Sequence, residues 1–125
     1  MLNQAPVIGF IPSRDFKPAR AFYEGVLGLR VLSVDAFAMV FDANGTPIRV
    51  TLVGKFEPHP FTILGWRVPR IEETVSQLKS KGVRFERFDG LTQDELGIWA
   101  APSGAKVAWF KDPDGNMLSV SQHPE

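Results

Sequence analysis

The chain has 125 residues, with 14 basic and 14 acidic side chains, a formal charge of zero, two histidines and no cysteine. A neutral chain has no global field to draw in nucleic acid or an anionic membrane, and the lack of cysteine removes disulfides, thiolate metal sites and cysteine nucleophiles together. With 44% hydrophobic and 22% charged residues, and no apolar run near the roughly 20 residues that cross a bilayer, the expectation is one globular domain over 1–125 with no membrane span. The opening residues 1–6 lack the basic and apolar regions of a secretory signal, so a cytoplasmic location is expected.

In chain order, residues 6–13 read as a short strand bounded by Pro6 and Pro12. Asp15 is a candidate helix cap, and Ala19, Phe22, Tyr23 and Val26 then recur at helical spacing until Gly28 stops the run. Segments 29–34, 36–42 and 47–54 follow as strands. The last two are joined by Ala43-Asn44-Gly45, where Asn and Gly tolerate the positive φ of a tight hairpin. After the Pro-rich linker 55–60 the order repeats. A strand over 61–68 leads to a helix from about Arg70 to Lys81, with Ile71, Thr74, Val75 and Leu78 on one face and a stop at Gly82. Segments 83–87, 97–101, 105–111 and 117–122 then supply strands.

The repeat is visible in spacing as well as in order. Asp15 to Gly28 and Pro69 to Gly82 are equally long, and Asp42, Gly45 and Val50 match Asp112, Gly115 and Val120 at one constant offset. The chain thus reads as a duplication, with module 1 over about 1–56 and module 2 over about 57–125. The offset is larger at the hairpin than at the helix, which places an insertion in module 2, most simply at 88–104. Such a segment is either a binding loop or an extra strand that covers an edge.

Two motifs carry a family resemblance. Phe22-Tyr-Glu-Gly-Val-Leu-Gly-Leu29 and Trp109-Phe-Lys-Asp-Pro-Asp-Gly-Asn-Met-Leu118 lie one module apart, and together they resemble the vicinal oxygen chelate superfamily of glyoxalase I, bleomycin-resistance proteins and extradiol dioxygenases. The resemblance covers essentially the whole chain. It implies an α+β fold of two βαβββ modules forming an incomplete barrel around a cavity, usually in a homodimer. It also implies where a metal would be held, and those positions fall at Ile8, Arg49, Ile63 and Ser119. Hydrocarbon offers no donor, a guanidinium has no lone pair to give, and one serine does not hold a divalent ion. Shifting the register does not help, because 7–13 and 61–68 contain no His, Asp, Glu or Gln. No metal and no cofactor are therefore expected. His59 in the linker and His123 near the end read as structural or solvent-exposed residues.

Strand alternation extends these positions into a lining. Ile8, Phe10, Arg49, Thr51, Ile63, Arg67, Met117, Ser119 and Ser121 should face a ligand, with Pro12, Val53 and Gly65 among them and Trp99 as an aromatic wall beside the insertion. The alternate positions, Ile11, Val50, Leu52, Leu64, Trp66, Leu118 and Val120, are apolar, as strands backed by helices require. Arginine forks recognise carboxylate or phosphate. Equally, Arg49 and Arg67 could pair with Asp42, Asp89, Asp94 or Glu95. Trp109 reads as a core residue, and Asp112 and Asp114 as turn residues that bond their own backbone.

No catalytic residue is assigned. The reading is metal-independent binding of a small polar or anionic organic molecule, resembling the bleomycin-resistance branch, with no nucleic acid or membrane partner. The alternative is a glyoxalase-like lyase or isomerase, or a dioxygenase, drawing a general base from Asp89, Asp94 or Glu95. A third possibility is a structural or regulatory dimer module with a filled cavity.

Overall fold

A computed structural model describes residues 1–125, and the chain divides in it at the Pro-rich linker into two units, Met1–Glu57 and Pro58–Glu125. The first unit contains β1 (Gly9–Ser13), α1 (Phe16–Arg20), a π-helical turn over Ala21–Val26, β2 (Arg30–Val34), β3 (Ala38–Ala43) and β4 (Thr46–Leu52). Its sheet runs β1-β4-β3-β2, with β1 parallel to β4 and the other pairs antiparallel. Asp15 starts α1 as its position predicts, accepting a hydrogen bond from the Lys17 N–H at 3.0 Å. The α-helical spacing expected through Val26 does not hold. After Arg20 the helix widens, and the Leu27 N–H reaches the Phe22 carbonyl at 2.9 Å. Ala19 and Tyr23 are nonetheless fully buried, and the Tyr23 ring lies 5.7 Å from that of Phe41. The core on this side of the sheet is Ile11, Met39, Phe41, Ile48 and Val50.

The second unit contains β5 (Thr62–Arg67), α2 (Ile71–Ser80), β6 (Trp99–Ala100), β7 (Lys106–Lys111) and β8 (Met117–Gln122). Its sheet order is β5-β8-β7-β6, with β5 parallel to β8. Helix α2 packs on β7 and β8, and Ile71 and Val75 are buried in the same core as Ala108, Phe110, Leu118 and Val120. Arg70 at the N-cap provides no capping side chain. Instead Gln122 at the end of β8 accepts the Ile71 N–H on its Oε1 at 2.9 Å, so strand and helix fix each other's ends. No helix is long and apolar enough to cross a membrane.

Three expectations are corrected. Residues 83–87 form no strand, only a single bridge from Phe85 to Phe110, and the expected strand 97–101 shrinks to Trp99–Ala100. The backbone between is held by side chains instead. The Gln93 carbonyl oxygen accepts the Phe88 N–H at 2.8 Å, its amide donates to the Glu86 and Gly97 carbonyls at 2.9 Å each, and Asp94 Oδ1 accepts the Leu96 and Ile98 N–H groups at 2.9 Å each.

The third correction concerns the duplicated hairpins. β3 and β4 close directly through Asn44 (φ 50°) and Gly45 (φ 95°), the two-residue turn with positive φ at both positions. β7 and β8 need the longer connection 112–116, because Lys111 pairs with Met117. There Asp112 Oδ1 accepts the Asp114 and Asn116 N–H groups at 2.9 Å each, and Oδ2 accepts the Asn116 amide at 2.8 Å. Phe41 pairs with Ile48, whereas the matching pair is Phe110 with Leu118. The constant offset therefore holds between β4 and β8 but slips by one residue between β3 and β7.

Candidate functional site

Each sheet has one face turned to its helix and one turned away, and pairing decides which residues share the second. In the first unit Phe10 stands beside Arg49, Pro12 beside Thr51, and Val40 across from Arg49. Phe10 is 63% exposed, and Arg49 and Thr51 are half-buried. Ile8 precedes β1 and is exposed, so it is not a strand position. Asp35 closes the turn between β2 and β3. Its carboxyl is held below the usual carboxylate range, first by the Phe37 N–H at 2.7 Å and then by the Ala38 N–H at 2.9 Å; burial opposes, and the Arg49 charge adds the smallest contribution.

In the second unit Gly65 and Trp109 flank Ser119, Arg67 and Val107 flank Ser121, and Trp99 stands across from Val107. Trp109 is thus not a core residue. The slipped offset explains why: at the constant offset it would match the buried Met39, but the longer turn moves it onto the face opposite α2 and gives the core to Ala108 and Phe110. The Trp99 and Trp109 rings lie 6.1 Å apart at 34°, and Phe88 meets Trp109 edge-on at 5.2 Å. The ordered segment 86–98 brings Phe88 to this wall, a contact that no sequence period announces. Beside it Ser119 is buried, and a Cβ added at Gly65 would come within 2.7 Å of the Ser119 Oγ, so glycine keeps that hydroxyl clear. Met117 is buried and Ser121 half-buried.

Ile63 is displaced from its expected place. Thr62 pairs with Met117 and Leu64 with Leu118, so Ile63 is the extra residue of a β-bulge and the simple alternation fails at it. The bulge is what keeps Gly65 and Arg67 beside Ser119 and Ser121.

Of the four acids weighed as arginine partners, Asp42 and Asp94 have their carboxylates engaged otherwise. Asp42 meets Arg30 at 3.7 Å, Asp94 Oδ1 holds its own loop, and the Asp94 and Glu95 carbonyls accept Arg87 Nη2 at 2.8 and 3.0 Å. Neither Arg49 nor Arg67 forms an ion pair. Asp112 is buried, with both oxygens committed to the turn. The His59 ring stacks on Phe61 at 4.9 Å, and His123 Nε2 shares a hydrogen bond with the Ser121 hydroxyl at 2.9 Å. Ile8, Arg49, Ile63 and Ser119 do not fit a divalent ion, since they provide two hydrocarbons, a permanent cation and one hydroxyl.

Comparison with known proteins agrees with this architecture. The family model described as Glyoxalase/Bleomycin resistance protein/Dioxygenase superfamily matches residues 6–120. A bleomycin resistance protein from Klebsiella pneumoniae is 30% identical over 122 residues, covering 90% of this chain and 88% of that protein. Among solved structures, a bleomycin resistance determinant encoded on the transposon Tn5 superposes with a TM-score of 0.76 at 24% identity, covering 98% of this chain and 100% of the other. A bleomycin-binding protein complexed with bleomycin gives 0.74 at 24% identity, covering 97% and 100%. At that identity the two structures establish a shared fold.

Proposed function

The chain belongs to the Glyoxalase/Bleomycin resistance protein/Dioxygenase superfamily, and from that premise we propose that it binds a small polar or anionic organic molecule without a metal ion, holding the molecule rather than transforming it. The observation that carries this reading is the face of the second sheet opposite α2. It sets the Trp99 and Trp109 rings beside the Ser119 and Ser121 hydroxyls and Arg67, a cation with no carboxylate partner. Apolar walls with a few placed polar groups are what small-molecule sites are made of. Arg49, between Phe10 and Val40 on the first sheet, repeats the combination of an arginine beside apolar side chains.

The relatives named for bleomycin make bleomycin the first ligand to test. Titration should quench tryptophan fluorescence saturably, and Trp109→Ala should weaken binding by about tenfold or more, the loss typical of an aromatic anchor. A metal ion retained in stoichiometric amount, with an activity lost on chelation, would overturn the reading. The chain is also proposed to act as a homodimer. Exposed Phe10 and Phe37 in the first unit supply apolar surface for self-association, and light scattering of purified protein gives the mass directly.

A further inference from the structure

Beyond the end of β5 the parallel pairing with β8 continues, with the Val68 N–H donating to the Ser121 carbonyl at 2.8 Å. A cleft of about 530 Å³ opens here, lined by Arg67, Pro69, Gln122, His123 and Glu125 among others. Its polar groups are oriented by the fold. Gln122 Oε1 is taken by the Ile71 N–H, which leaves the amide NH₂ as the part free to donate. The hydroxyl of Ser121 engages His123 at Nε2, leaving Nδ1 as the second polar atom of the ring. Arg67 forms no ion pair.

We propose that Arg67, the Gln122 amide and His123 form an oxyanion subsite whose affinity rises when His123 is protonated. The charge balance gives the reason. Arg67 from β5 and Glu125 from the same segment as His123 are the other charged side chains of the cleft. The side chains cancel with a neutral imidazole, and an imidazolium adds one positive charge that offsets the α-carboxylate at Glu125. A carboxylate or a tetrahedral oxyanion then meets a guanidinium fork, an amide and a ring N–H, all donors. The subsite names the chemistry of the ligand's charged group and rests on the binding reading above for its connection to an organic molecule.

The test uses sulfate, which stays a dianion across the imidazole range, and benzoate as the carboxylate probe. Both are titrated at constant ionic strength while the Gln122 side-chain NH₂ and Arg67 Nε resonances are followed. Sulfate should shift both signals, and bind about fivefold more tightly at about pH 5.5 than at about pH 8, the effect of one further solvent-exposed charge. Arg67→Gln should abolish binding. His123→Gln keeps a hydrogen-bonding group beside Ser121, and should leave weak binding with a flat pH profile. A response to sulfate without benzoate would assign a tetrahedral oxyanion, and a response to both the wider class. Silent Gln122 and Arg67 signals, full affinity in Arg67→Gln, or an undiminished pH rise in His123→Gln would each overturn the proposal. The two readings fail separately. A sulfate response with no bleomycin binding leaves the subsite standing, whereas bleomycin binding with Gln122 and Arg67 signals silent to sulfate leaves the wider reading standing and removes the subsite.

Discussion

The two units share chain order and sheet order, and they match in the core at Phe41 and Phe110, Ile48 and Leu118, and Val50 and Val120. Away from those positions they part. The first helix is a short α-helix that widens into a π-helical turn, and it is capped locally by Asp15; the second is a regular helix capped from a distant strand by Gln122. One hairpin turns on two left-handed residues, the other on the Asp112 carboxylate. A duplicated fold is thus constrained by the alternation that feeds its core, while caps, turns and open faces are free to diverge. Divergence at one turn has moved an aromatic ring, Trp109, from the helix side of a sheet to its open side.

The largest effects should test the equivalence of the cores. Phe41→Ala and Phe110→Ala each empty a fully buried site, and each should lower unfolding stability by about 3–5 kcal/mol in guanidinium titrations. Phe10→Ala, at a position 63% exposed, should change it by less than about 0.5 kcal/mol. A cheap loss at one core phenylalanine and an expensive one at the other would show that matched register does not bring matched packing.

The hairpins should differ next. Asp112→Ala strands two N–H groups and an amide in a buried turn, for a loss of about 2–4 kcal/mol. Asp42→Ala removes the bond to the Gly45 N–H and a long, exposed ion pair with Arg30 from a turn that its backbone already favours, and should cost about 1 kcal/mol or less. Equal losses would break the contrast. The caps come third: Asp15→Ala and Gln122→Ala should each cost about 1 kcal/mol. Only the second should speed amide exchange in the first turn of α2.

The βαβββ order, both helices and most strands were legible because each rests on local patterning, such as Ala19 and Tyr23 on one helical face or Asn44-Gly45 between two strands. Residues 83–98 were not legible, since their order comes from Gln93 and Asp94 bonding to backbone groups, which leaves no period to read. In the candidate site Phe10, Arg49, Thr51, Arg67, Ser119 and Ser121 follow from the positions that the resemblance implies, extended by alternation, and strand pairing sets them on the open faces. Trp109 was misplaced because it lies next to a register change, the longer turn, and Ile63 sits at another, a bulge, where alternation no longer assigns a face. A single slipped residue reverses which face a side chain takes. The tolerance of Gly65 for the Ser119 hydroxyl likewise depends on that bulge.

The smallest effects are electrostatic, and they separate the units by pH. In the second unit Glu72 accepts a hydrogen bond from Lys106 at 2.8 Å; that bond first, and the Glu72 backbone N–H second, hold the carboxyl low, and the same bond holds the Lys106 ammonium high. A depressed carboxylate contributes stability that is present above its ordinary value and lost as pH falls through the lowered one. A raised ammonium contributes below its ordinary value and loses that as pH climbs through the raised one. The stability gap between Glu72→Gln and the unaltered chain should therefore be widest across the neutral range, close in acid and shrink in alkali to the part that the backbone N–H supplies. Asp35 in the first unit is also depressed, but its chief partners are the Phe37 and Ala38 N–H groups, which do not titrate. The gap for Asp35→Asn should close in acid and persist in alkali. Thermal midpoints of the two variants across pH, in salt low enough to leave exposed pairs unscreened, give the comparison. A Glu72→Gln gap that did not shrink in alkali would mean that the carboxylate acts chiefly through the backbone N–H and not through Lys106.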